Sequence, residues 1–142
     1  MIKVIKAVIS KCREITIREV RSFLKTEREE NHDHSSHAYR HSYEFVQTKN
    51  ISGPAAIVVF VEISRNNFLR KEIHVVYRQE TGELKDYLIM RSDIGWSQSC
   101  GRGRCVTDLS LGTVTRKKNH IVLEYNVCEG GNYSREKYNV NL

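Results

Sequence analysis

Four imidazoles fall within one stretch of ten residues: His32, His34, His37 and His41. If a helix continues to about residue 42, His34, His37 and His41 stand at i, i+3 and i+7, a single stripe. Neutral imidazoles so placed can hold Zn²⁺ through three nitrogens and leave the fourth position to water, as catalytic zinc sites do, with Asp33 orienting one ring. The spacing matches no named zinc motif, so a solvated polar connection is the plainer expectation. No cofactor is expected unless these histidines take zinc.

A second stretch, Cys100-Gly101-Arg102-Gly103-Arg104-Cys105, suits a different chemistry. Its glycines free backbone N–H groups to turn toward an anion, and Arg102 and Arg104 offer forked donors to phosphate or carboxylate. Trp96 would supply a stacking surface for a base or another planar group. The run Arg116-Lys117-Lys118 adds three consecutive cations, and Lys117 and Lys118 join Trp96, Arg102 and Arg104 as the expected ligand-binding residues. Arg135 and Lys137 would extend the basic surface if these turns share one end of a sheet. The competing reading of each stretch is a solvated turn. A cysteine nucleophile would need a base in reach, and His41, His74 and His120 are only distant candidates. No RNA-recognition, KH or helix-turn-helix signature is present.

The chain that must position these groups has 142 residues, 39% hydrophobic and 28% charged, within reach of one domain spanning residues 1–142. Its formal charge is +6 with a pI near 9.2. That favours anionic partners, although no segment is overwhelmingly basic. No apolar run approaches a membrane span, and Val4–Ile9, cut by Lys6, is a poor signal peptide. A cytoplasmic or otherwise intracellular protein without membrane contact is expected. Cys12, Cys100, Cys105 and Cys128 are too few and too irregular for a disulfide scaffold; only export would favour a Cys100–Cys105 bridge.

All eight glycines and the one proline lie from Gly53 onward, which divides the chain into two regimes. In the first, Ile5, Val8, Ile9, Cys12, Ile15, Val20, Phe23 and Leu24 recur at three- and four-residue spacing. That predicts a helix over about residues 3–29, broken near Cys12, with Glu14 and Arg18 as an i,i+4 pair. A short strand at Glu14–Ile17 is the rival. A His-rich connection and a first strand at Tyr43–Thr48 fill residues 31–54.

In the second regime, residues 55–63 are almost uniformly apolar, which suits a strand covered on both faces. Further strands are expected near 70–79 and 83–91, with short pieces at 94–99, 105–111 and 112–117. His120–Cys128 follows with Ile121, Leu123, Tyr125 and Val127 on one face, then a last strand carrying Tyr138, Val140 and Leu142. Glu124-Tyr125 and Tyr133–Tyr138 resemble, over fewer than about twenty residues, the late strands of lipocalin-like bilin lyases; the stretch is too short to specify a motif, and no residue role is carried over.

The expected fold is α+β and β-rich: one N-terminal helix, then an antiparallel meander of about seven to nine strands. It would be either a bent sheet around the helix or a lipocalin-like up-and-down barrel with the helix at its mouth. The expected function is a non-catalytic binding module for an anionic partner, either nucleic acid or a phosphorylated or acidic ligand. The alternatives are a barrel for a small apolar or planar ligand, a zinc-dependent enzyme using the histidines, and a protein–protein adaptor using a sheet edge.

Overall fold

A computed structural model describes residues 14–31, 39–47, 53–65, 68–95 and 107–142. Among them are one helix, α1 (Ile17–Asn31), and seven strands: β1 (Arg40–Val46), β2 (Ala56–Arg65), β3 (Phe68–Arg78), β4 (Leu84–Gly95), β5 (Thr107–Arg116), β6 (His120–Glu129) and β7 (Asn132–Asn141).

The helix starts at Ile17 because Thr16 caps it. The Glu19 N–H donates to Thr16 Oγ1 at 3.2 Å, and the Thr16 N–H donates to Glu19 Oε2 at 3.2 Å, a reciprocal capping box. The expected helix therefore does not run through residues 14–16, and Glu14 has no i,i+4 helical partner in Arg18. Its carbonyl instead accepts Arg78 Nε at 2.8 Å. The same guanidinium binds Glu19 Oε2 at 2.6 Å and the Gly82 carbonyl at 2.8 Å, fastening the start of α1 to the β3–β4 turn. The earlier part of the expected helix, residues 3–13, lies outside the described residues.

The strands form two antiparallel sheets, β1-β2-β3-β4 and β5-β6-β7. The meander is interrupted between β4 and β5, so the closed barrel is not formed and α1 is not a lid over a lumen. The reason lies in β2 and β3. Ile57, Val59, Val61 and Ile63 pack with Val76 against Val20 and Leu24 of α1. On the opposite face Val58, Ile73 and Val75 pack against Leu109, Ile121, Leu123, Tyr125, Val127 and Val140 of the second sheet. A sheet apolar on both faces needs a cover on each side, and the helix and the second sheet supply them.

Two irregularities shape the strands. A bulge in β4 opposite Ile73/His74 lets the consecutive residues Ile89 and Met90 both pack on the inter-sheet core. A second bulge, between Leu111 and Val114, bends β5; the two short strands expected at 105–111 and 112–117 are halves of this one element. The β6–β7 hairpin closes through Gly130 and Gly131 at φ 58° and 81°, the paired left-handed conformations of a type I′ turn. At the far end of the inter-sheet core Lys71 Nζ donates to Asp108 Oδ1 at 2.8 Å and pins β3 to β5. No helix among the described residues is long and apolar enough to cross a membrane.

Candidate functional site

The face of the four-stranded sheet under α1 divides into three columns, fixed by register. Cross-strand rows run His41, Ile63, Arg70, Asp93; then Tyr43, Val61, Glu72, Arg91; then Phe45, Val59, His74, Leu88. Because directly paired residues share a face, β1 contributes an aromatic column, β2 an aliphatic one and β3–β4 an ionic one. The helix lies over the aliphatic column.

The ionic column holds the most concentrated buried polar group among the described residues. His74 Nε2 lies 2.7 Å from Glu72 Oε1, and Nδ1 lies 2.8 Å from Asp86 Oδ2. The His74 and Glu72 side chains are 6% and 5% exposed. Two carboxylates against one ring need two donated hydrogens, so the trio is complete only with both ring N–H groups protonated or with one carboxyl protonated. Each ring nitrogen is occupied, which leaves none to take a substrate proton. Arg70 Nε pairs with Asp93 beside this trio. The cluster clasps β3 to β4.

The aromatic column is built differently. Tyr39, His41, Tyr43 and Phe45 are all half-exposed. The His41 and Tyr43 rings lie 6.4 Å apart at 13°, and those of Tyr43 and Phe45 6.1 Å apart at 20°. A guanidinium stands at each end of the row: Arg65 lies 5.3 Å from the Tyr39 ring centre, and Arg21 lies 5.4 Å from that of Phe45. Arg21 belongs to an exposed helical stripe with Arg18 and Lys25, spaced i, i+3 and i+7. The strand period of two makes the ring row, the helical period of 3.6 makes the cation row, and the Arg21–Phe45 contact joins them.

Of the residues singled out from the sequence, Trp96, Arg102, Arg104, His34 and His37 lie outside the described residues. His41 is described and stands on β1, not on a helix. The helical stripe that would align it with His34 and His37 is therefore not formed. Among the described residues no group of three or more His, Cys, Asp or Glu side chains is arranged to hold a metal ion. Lys117 and Lys118 occupy the exposed β5–β6 turn.

Arg116 does not join them as a third free cation. It donates to the carbonyls of Pro54, Lys117 (2.8 Å) and Lys118 (3.3 Å), and burial lowers its pKa. Gly53 sits against this knot with φ 126°, and a Cβ there would meet the Lys118 carbonyl oxygen at 2.0 Å. Arg135 and Lys137 lie along the middle of β7, opposite Asn126 and Glu124, and not at the 117–118 turn.

The Arg18/Arg21/Lys25 stripe went unnoticed in the sequence. Its i, i+3, i+7 spacing was the available signal, whereas its approach to β1 is a tertiary fact. No protein-family model matches the chain, and no curated protein or solved structure matches it either, so its functional reading rests on its own residues.

Proposed function

We propose that the protein is a non-catalytic binding module for an anionic partner, and that single-stranded nucleic acid is the class its surface suits. The observation that carries this reading is the half-exposed row Tyr39, His41, Tyr43, Phe45 with a guanidinium at each end and the Arg18/Arg21/Lys25 stripe beside it. Single strands expose both unstacked bases and a charged backbone; aromatic rings take the first and Arg and Lys the second, without reading sequence. The net charge of +6 supports the same partner class. The occupied nitrogens of His74 speak against a catalytic use of the neighbouring ionic column.

The test is a fluorescence-anisotropy titration of a labelled oligothymidylate across a salt series. Binding in the range of about 1–100 µM near physiological salt is expected. The slope of log K against log salt should be roughly −3 if Arg18, Arg21, Lys25 and Arg65 each meet one phosphate at about 0.7 per contact. Arg21→Gln should flatten the slope by about 0.7. Absence of binding at low salt, or a slope that Arg21→Gln leaves untouched, contradicts the proposal.

A further inference from the structure

β7 is an edge strand of the three-stranded sheet, paired with β6 in unbroken register from Asn132 to Asn141. Its outward residues Tyr133, Arg135, Lys137 and Asn139 are exposed, and so are Ser134, Glu136 and Tyr138 on the face turned toward the first sheet. Of its ten residues only Val140 is buried. An edge strand in a two-layer stack normally covers one face; among the described residues nothing covers either face of this one from Asn132 to Asn139 or pairs with its second backbone edge. Tyr133 and Tyr138 are 76% and 47% exposed.

We infer that β7 is a docking edge for an extended acidic segment of a partner protein, which adds as a fourth strand and sets carboxylates against Arg135 and Lys137. Charge selects the occupant. The outward row carries two cations, with Glu124 as the one acidic residue paired opposite it on β6. A second copy of this chain fits poorly. The two two-fold antiparallel registers that use nearly the whole strand place Arg135 against Lys137 with Glu136 against itself, or Lys137 against itself. Like charges directly opposite are destabilising; a strand with carboxylates opposite Arg135 and Lys137 and an uncharged residue opposite Glu136 avoids each such pair. Backbone hydrogen bonds would supply the affinity, and the alternation of the incoming side chains the selectivity. This inference concerns the opposite sheet from the aromatic row and does not depend on it.

The probe is a capped peptide of about ten residues alternating glutamate and valine, titrated into the ¹⁵N-labelled protein, with a lysine–valine peptide as control. The expected result is shifts and slowed amide exchange confined to residues 132–141 with the glutamate peptide alone. Affinity should fall at least about tenfold with Arg135→Glu plus Lys137→Glu, and also when alternate peptide amides are N-methylated. Both substitutions are at exposed positions, and circular dichroism checks that the variant is folded. No perturbation of β7 at millimolar peptide overturns the inference, as does binding indifferent to N-methylation. Protection of β7 that grows with protein concentration alone would assign the edge to a second copy, and perturbation by an oligonucleotide in place of the peptide would assign it to nucleic acid; either result overturns it.

Discussion

Two histidines on one sheet face are used in opposite ways. His74, in the ionic column, is held at both nitrogens by carboxylates and sealed from solvent. His41, two strands away on β1 in the aromatic column, is half-exposed with its Nε2 buried, and stacks on Tyr43 within a row that cations bracket. Residue type is the same; what differs is the surroundings each ring meets. The pair shows that residue type alone does not fix what a ring does; its burial and its neighbours do. In a closed hydrogen-bonded group it serves as a structural clasp.

The sharpest way to break this contrast is to remove each ring in turn. His74→Leu leaves Glu72 and Asp86 facing a hydrocarbon in a buried site and should cost about 3–5 kcal/mol in urea unfolding. His41→Leu should cost below about 1 kcal/mol. Equal costs would erase the distinction. Next in size, Tyr43→Leu keeps apolar volume while removing a stacking face, and should weaken oligothymidylate binding roughly 5- to 100-fold. The same substitution should cost under about 1.5 kcal/mol of stability. Tyr43 packs against the α1-side core; loss of folding in place of affinity would make that packing its whole role.

A smaller effect concerns the helix that carries Arg21. Thr16→Ala opens the capping box and should lower stability by about 1 kcal/mol, read as a shifted urea midpoint. An unchanged midpoint would mean that Arg78 alone sets the start of α1.

The last expected effect is nil at neutral pH. Burial and the neighbouring Tyr87, by hydrogen bond and charge, push the Tyr77 phenol up to about 12 from its ordinary value of 10.0. The folded protein thus keeps a proton that the unfolded chain gives up. The stabilising contribution is whole below pH 10 and is lost as pH rises from 10 to about 12. Tyr77→Phe should flatten the fall in stability over that window, measured by urea unfolding at stepped alkaline pH.

Much of the architecture was legible locally. The uniformly apolar run 55–63 required cover on both faces, and β2 has α1 on one side and the second sheet on the other. The turns at Thr81–Glu83 and Gly130–Gly131 were readable because their geometry is written in glycine. The helix start differs from the expected one because the Thr16/Glu19 capping box sets it in place of the apolar periodicity, and the pieces expected at 105–111 and 112–117 are one strand because Gly112 sits in a bulge.

The site was less legible for a physical reason. Glu72 and His74 are two residues apart, but Asp86 joins them only across the β3–β4 hairpin, and Arg21 meets Phe45 only once α1 lies on the sheet. Such juxtapositions are products of register and packing, which no local pattern encodes. Lys117 and Lys118 were visible as charge, but the inward turn of Arg116 beside them was not.

The most direct measurement is to record the aromatic ring resonances of the protein while oligothymidylate is added at low salt. The expected result is that Tyr39, His41, Tyr43 and Phe45 shift together with a salt-dependent affinity, while His74 stays where it was. Shifts confined to other parts of the molecule, or rings that do not respond at saturating oligonucleotide, would contradict the aromatic row as the binding surface.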